Sequence, residues 1–214
     1  LIWRRNLMPT ITAQDNAIPG VAADSAAKAF FSTLGDLQAT LPLGYNIVLG
    51  GTAESSANAA AWLLEPVPVM LILILVLLML QLGSVAKTIL VLLTAPLGLI
   101  GVSIGLLATG RPMGFVVQLG ILALSGIIMR NSVILIDQIE KHLEDGEEPW
   151  DAIINATISR FRPILLTAAA AILAMIPLVS SLFWGPMAVA IAAGLFGATI
   201  LTLIVLPVMY AAWY

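Results

Sequence analysis

Long hydrophobic runs, separated by short polar segments, dominate the chain after residue 60. Five of them lie at residues 66–82, 88–109, 114–136, 163–179 and 187–213. About 20 apolar residues cross a hydrocarbon core about 30 Å thick as a helix, and an open sheet cannot satisfy its backbone in lipid. The pattern therefore predicts an all-α membrane bundle of five transmembrane helices within a domain at residues 61–214.

Residues 1–60 differ from the rest because they mix polar and apolar positions. Alternation predicts strands at 9–14 and 45–49, and helical spacing predicts a helix at 21–41. The result is a small α+β unit of the β-α-β type, too small to bury a sufficient core alone. Since the first residues, LIWRRNLM, lack an initiator Met and signal-peptide features, we expect the chain to continue a longer protein.

Composition supports the membrane interpretation. Mean hydropathy is +1.05, and 10% of residues are charged, compared with about 25% in typical soluble proteins. The absence of cysteine excludes disulfides, thiolate metal sites and a cysteine nucleophile, and the single His142 cannot form a metal cluster by itself. We therefore expect no catalytic residues and no bound metal.

Basic residues in the short loops predict the orientation. Four fall on one side of the predicted membrane and Arg111 on the other; the four are Lys87, Lys141, Arg160 and Arg162. By the positive-inside rule the four are cytoplasmic, which places residues 1–60 outside and the C-terminus inside. Residues 137–159 then form a cytoplasmic helical loop, with a turn at Asp145-Gly146 and a helix that begins at Pro149.

Arg130 is the strongest candidate for a functional residue because it lies well inside the third apolar run. An arginine at the centre of a membrane helix costs about 2.5–3.5 kcal/mol. Asn131 and Ser125 could support it by hydrogen bonds or could only hold helices together. Asp137 shares its helical face two turns away, although an interfacial carboxylate is the commoner explanation.

Two further positions repeat the seven-residue spacing in the fourth run. Arg160 lies at its mouth and Thr167 is the first polar side chain inside it, although a Thr in a membrane helix usually bonds its own i−4 carbonyl. In the second run, Pro96 predicts a kink, and three glycines on one side predict close helix packing; they are Gly98, Gly101 and Gly105.

The run GILALSGIIMRNSVILIDQIEK, followed about twenty residues later by SRFRPILLTAAAAILAMIPL, resembles the C-terminal half of an RND (resistance-nodulation-cell division) efflux permease. The resemblance is to the acriflavine-resistance or hydrophobe/amphiphile exporter type and covers the whole chain. Residues 1–60 are similar to the end of the last periplasmic porter subdomain, and the five spans to helices eight to twelve.

This resemblance implies a proton-driven antiporter, not an enzyme, that exports hydrophobic or amphiphilic xenobiotics across the bacterial inner membrane. The partners it implies are two further copies in a homotrimer, a periplasmic adaptor and an outer-membrane channel, with the proton-motive force in place of a cofactor. It also implies that Arg130 pairs with two aspartates of the fourth helix, and that Arg160 and Thr167 complete a proton relay. Since arginine stays charged, Arg130 would be a fixed counter-ion.

Two alternatives remain open. A related member could export proteins, as SecD/SecF does, or lipids and hopanoids, because these share a proton-coupled helical bundle. Alternatively, the helices only anchor or scaffold an assembly, and Arg130 is a packing residue.

Overall fold

The structure, a computed structural model, describes residues 3–14, 21, 23–181 and 183–213. Two compact units divide the chain, Leu1–Ala57 and Asn58–Tyr214. Two short strands precede nine helices in the described residues: β1 Arg4–Arg5, β2 Met8–Pro9, α1 Ala23–Thr33, α2 Gly35–Thr40, α3 Thr52–Leu64, α4 Val67–Leu82, α5 Val85–Thr94, α6 Leu97–Thr109, α7 Phe115–Glu144, α8 Pro149–Val179 and α9 Gly185–Trp213. The predicted fold class, a helical bundle preceded by a small strand-containing segment, is confirmed.

The first unit opens with an antiparallel hairpin. Strands β1 and β2 pair Arg4 with Pro9 and Arg5 with Met8. Asn6 and Leu7 connect them with positive φ angles of 52° and 69°, a combination that matches the right-handed twist of a hairpin. An ion pair between Arg5 and Glu54 joins the hairpin to the start of α3.

The β-α-β order is wrong in detail, because the described elements of this unit follow the order β-β-α-α. Residues 10–14 and 45–49 are not strands, and the predicted helix 21–41 is divided into α1 and α2 at Leu34. A strand requires a neighbour for its N–H and C=O groups. Among the described residues, only the Thr10 N–H is bonded to a neighbouring segment, at 2.8 Å from the Trp3 carbonyl oxygen, and no ladder continues into either stretch. Residues 15–20 and 22 lie outside the described part of the chain.

Four stretches of the described residues are long and apolar enough to cross a membrane, namely Val85–Thr109, Phe115–Glu144, Pro149–Val179 and Gly185–Trp213. Helices α3 and α4 meet this criterion only together, as a pair bent by 40°, which raises the number to five. Alone, α4 has 16 residues, or about 24 Å, which is shorter than a hydrocarbon core of about 30 Å.

Prolines and one glycine determine several helix boundaries. Pro96 lies between α5 and α6 and breaks the hydrogen-bond ladder of the second span, as predicted. Helix α7 continues to Glu144, and Pro149 starts α8, so residues 137–159 consist of the ends of two long helices with the predicted turn at Asp145-Gly146 between them. Gly146, with φ of +89°, provides the left-handed turn between them.

Helix α9 packs against α5, α6, α7 and α8. It is apolar on all faces, as expected of a central helix. Close approach between α6 and α9 depends on glycine: a Cβ at Gly101 would lie 2.4 Å from the carbonyl oxygen of Ala193, and one at Gly105 would lie 2.3 Å from the Ala193 Cβ. Gly98 instead faces Leu124 and Ile128 of α7.

The core of the bundle consists of two apolar clusters. The first lies toward the α7–α8 turn and contains Leu82, Leu90, Val91, Leu135, Ile136, Ile139, Ile153, Ala156, Leu206 and Tyr210. The second lies farther from that turn and contains Val102, Leu106, Val117, Leu124, Ile128, Ala168, Ala190, Leu195 and Ala198.

Candidate functional site

A layer of polar side chains separates the two apolar clusters. Along α7 it falls between Ile128 and Leu135, and along α9 between Ala198 and Leu206. We call it the polar layer, and its members are Thr94, Asn131, Ser132, Thr199 and Thr202. The layer lies at the level of Arg130, the cation that the sequence singled out.

Thr94 and Ser132 form the direct link between α5 and α7. Both are fully buried, and their hydroxyl oxygens lie 2.7 Å apart. Each hydroxyl is also within bonding distance of a carbonyl of its own helix, Thr94 with Val91 and Ser132 with Ile128. Because two hydroxyl protons serve three contacts, only two of these bonds can form at once. The sequence analysis did not predict this pair. The available signal was the spacing of Ser132, which lies seven residues after Ser125 and therefore on the same face of α7.

Arg130 itself is exposed on the opposite side of α7 from the buried face. It lines an open groove between α4 and α7, whose other lining residues are apolar: Ile74, Leu77, Leu78, Gly126, Met129, Val133 and Ile134. Among the described residues, no hydrogen bond or ion pair reaches the Arg130 guanidinium. The groove therefore presents a positive charge without a counter-ion from this part of the chain.

Arg160 has a partner that sequence reasoning did not identify. Its Nε and Nη2 groups donate to the side-chain oxygen of Gln138, at 3.0 and 2.6 Å. Gln138 lies on α7 eight residues after Arg130, so it connects α8 to the same helix. Two N–H groups of a guanidinium therefore converge on one neutral acceptor, which leaves the charge of Arg160 uncompensated.

Thr167 bonds within its own helix. Its hydroxyl donates toward the carbonyl oxygens of Pro163 and Ile164, at 3.0 and 2.9 Å. Within the described structure, no hydrogen bond links Arg130, Arg160 and Thr167 to one another. That these three residues form one connected relay therefore stays a prediction.

The supporting candidates lie in different surroundings. Ser125 donates to the carbonyl oxygen of Ile121 in its own helix, at 2.9 Å. Asp137 is exposed, and no partner for its carboxylate is found among the described residues. Asn131 belongs to the polar layer and faces α9.

Charged side chains also mark the two ends of the bundle. Lys87 of α5 forms an ion pair with Glu140 of α7, at the end where Arg160 lies. At the opposite end, Arg111 donates to the carbonyl oxygen of Val179 at 2.8 Å and so caps the C-terminus of α8. The basic residues that the sequence assigned to opposite sides of the membrane therefore lie at opposite ends of the helices.

The turn between α7 and α8 is held by one carboxylate. Glu147 accepts hydrogen bonds from Asn155 at 3.0 Å and contacts the Nδ1 of His142 at 2.8 Å. The hydrogen bond from Asn155, followed by that from His142, lowers the pKa of Glu147 below its ordinary value of 4.5. This carboxylate therefore stays charged and stabilises the turn at neutral pH.

Comparison with known proteins identifies the family. A model of the AcrB/AcrD/AcrF family matches residues 1–213. The chain belongs to this family. The resemblance to RND permeases, seen in the sequences around Arg130 and Arg160, is thereby confirmed, and the apolar helices are those of a multi-pass membrane protein.

Among curated relatives, the chain is 35% identical over 193 residues to the nickel-cobalt-cadmium resistance protein NccA of Alcaligenes xylosoxydans xylosoxydans. This match covers 88% of this chain and 18% of that protein. It is 37% identical over 174 residues to the nickel and cobalt resistance protein CnrA of Cupriavidus metallidurans, covering 79% of this chain and 16% of that protein. The chain thus spans about a sixth of the length of these relatives.

Solved structures give the same result. Crystal forms I and II of a heavy metal efflux pump match with TM-scores of 0.67 and 0.65. Sequence identity is 27% in both, and the matches cover 86% and 85% of this chain but 19% of the pump. Among the described residues, no group of three or more His, Cys, Asp or Glu side chains could hold a metal ion.

Proposed function

We propose that this chain is part of a proton-driven RND efflux transporter, in which Arg130 is the fixed cation of the coupling bundle. One observation carries the proposal: Arg130 lies exposed in an apolar groove between α4 and α7, and no described residue compensates its charge. A scaffold helix would gain nothing from such a costly group in a membrane.

The chemistry of the groove favours a carboxylate as the partner. A guanidinium binds carboxylates through two parallel N–H groups and stays charged at all physiological pH values. If the partner takes up a proton, the attraction to Arg130 is lost while Arg130 itself does not titrate. Proton uptake would then release a helix that carries the carboxylate from α7, and this movement would drive transport.

Arg160 would act as a second cation near one end of α7. Gln138 holds it by two hydrogen bonds but does not neutralise it. Its positive charge therefore stays available to a carboxylate partner, in agreement with its proposed place in the relay. Thr167, whose hydroxyl bonds within its own helix, would complete the relay, and Asp137 would be a supporting residue.

The relatives favour a particular class of substrate. Proteins 35–37% identical to this chain are named for resistance to nickel, cobalt and cadmium. We therefore propose divalent metal cations as the substrate and place hydrophobic xenobiotics, which the sequence resemblance implied, second. Neither protein export nor lipid export has a specific observation in its favour.

By the same family relationship, we propose the bacterial inner membrane as the location, a trimer as the assembly, and an adaptor and outer-membrane channel as partners. The N-terminal unit would be periplasmic and the C-terminus cytoplasmic. The distribution of Lys87, Lys141, Arg160 and Arg162 supports this orientation.

Arg130→Ala in the intact protein tests the proposal. We expect loss of export of Ni²⁺ and Co²⁺ from loaded cells, because the proton-sensitive ion pair can no longer form. Arg162→Ala is the matched control, since Arg162 is also an exposed arginine but lies outside the groove and should retain export.

Equal expression and assembly of both variants, measured by size-exclusion chromatography, would exclude a folding defect. Full export by the Arg130→Ala variant would contradict the proposed coupling. A different result would contradict only the assignment of divalent metal cations as substrate: no metal export by the unsubstituted protein or either variant, together with export of a hydrophobic dye that depends on Arg130.

A further inference from the structure

Thr202 differs from the other buried hydroxyls of the bundle. Its Oγ1 has no hydrogen-bond partner among the described residues, and the residue is only 4% exposed, so bulk water cannot supply one. Other buried hydroxyls donate to carbonyls of their own helices; these are Thr88, Thr94, Ser132 and Thr199. Since buried polar groups in folded proteins nearly always have a partner, Thr202 requires an explanation.

A small cavity adjoins this hydroxyl. Three polar side chains line it, namely Asn131, Thr199 and Thr202, together with the apolar Ile128, Ile164, Leu195, Ala198 and Leu203. Its volume of about 10 Å³ is close to the minimum that one water molecule requires.

The lining offers the bonds that a water molecule needs. Asn131 has both a donor and an acceptor in its side-chain amide, and neither is used by another described residue. The Thr202 hydroxyl can donate and accept. The Thr199 proton is committed to the carbonyl oxygen of Leu195 at 2.6 Å, but its oxygen can still accept. Buried waters typically make two to four such bonds.

We infer that this cavity binds one water molecule, bonded to the Thr202 hydroxyl and the Asn131 amide, which joins α7 to α9 inside the polar layer. Asn131 is thereby a link to α9 rather than a partner of Arg130. Because Ser132 joins α7 to α5, consecutive residues directly after Arg130 fasten α7 to helices on two sides. This inference does not depend on the proposed transport function.

A structure of the intact protein, at a resolution that reveals ordered waters, tests the inference directly. We expect density for one water within hydrogen-bond distance of Asn131 and Thr202, and its loss in Thr202→Val. A Thr202 hydroxyl that donates to the Ala198 carbonyl, with no density in the cavity, would overturn the inference.

A thermal-unfolding cycle provides a second, independent test. Thr202→Val should lower the melting temperature more than Thr88→Val, which removes an equally buried hydroxyl that bonds within its own helix. Thr202→Ser, which keeps the hydroxyl, should restore the melting temperature that Thr202→Val loses. Adding Asn131→Leu to Thr202→Val should lower the melting temperature little further, because both substitutions remove the same water bridge. Additive decreases in melting temperature would contradict the bridge.

Discussion

At the residue scale, the basic side chains of the described bundle differ in how their charge is compensated. Lys87 is paired with a carboxylate, Glu140. Arg160 is bonded to a neutral amide, and Arg130 has no partner among the described residues. Arg130 and Arg160 therefore keep a net positive charge, and these are the groups that the proposed function uses.

Gln138→Glu tests whether the charge of Arg160 matters. The substitution keeps an acceptor oxygen for Nε and Nη2 but converts the neutral contact into an ion pair. Hydrogen bonds to charged groups contribute roughly 1.5–3 kcal/mol, and a tenfold change corresponds to about 1.4 kcal/mol. We therefore expect proton-driven export to fall by about tenfold or more, measured as the initial export rate.

Gln81→Glu is the control for this experiment, because Gln81 is an exposed glutamine at the end of α4. The melting temperature of the Gln138→Glu protein should be unchanged or higher. Unaltered export by this variant would show that Gln138 only fastens α8 to α7.

At the scale of helices, the approach of α6 to α9 at Gly101 is limited by backbone atoms rather than by side chains. At Gly101 an added Cβ would lie 2.4 Å from a carbonyl oxygen and 3.0 Å from the Cα of Gly194. Neither neighbouring atom can rotate away, in contrast to the end of a flexible side chain. Gly101 and Gly105 of the second run therefore reflect a specific contact with α9.

Gly101→Ala should lower the stability of the bundle by about 1–3 kcal/mol, since α6 and α9 must separate to admit the methyl group. The melting temperature in lipid nanodiscs measures this loss. Gly126→Ala is the matched control: Gly126 is also in a helix, but nothing lies within 4 Å of its added Cβ. This variant should be unchanged or slightly more stable, and equal losses in both would disprove the packing argument.

At the scale of the whole molecule, α7 determines which loops lie on which side of the membrane. It has 30 residues, or about 45 Å, which is enough to cross a hydrocarbon core once with several turns to spare. The α6–α7 loop and the α7–α8 turn must then lie on opposite sides. By the positive-inside rule, the turn is proposed to lie in the cytoplasm.

Single cysteines can verify this arrangement, because the sequence contains none. Met113→Cys in the exposed α6–α7 loop should react with a membrane-impermeant maleimide added outside spheroplasts. Asp145→Cys in the turn should react only after the cells are opened. The opposite labelling pattern would reverse the proposed orientation, and labelling of both positions from outside would contradict a single crossing by α7.

Much of the architecture follows from the sequence. The apolar runs predicted the helices, Pro96 predicted the break between α5 and α6, and the cost of a charge inside a membrane-spanning run singled out Arg130. The local pattern failed at residues 10–14 and 45–49, because alternation measures the suitability of a segment for a sheet but not the presence of a neighbouring strand.

The sequence by itself determined that this protein is a bundle of membrane helices with one anomalous cation, because hydrophobic periodicity and charge cost are local properties of the chain. Only the tertiary structure decided which groups meet: Arg160 with Gln138, Thr94 with Ser132, and Asn131 with Thr202 around one small cavity. These contacts depend on how far each helix is rotated and shifted against its neighbours. That arrangement is determined by the packing of α9 between α5, α6, α7 and α8, which no local pattern records.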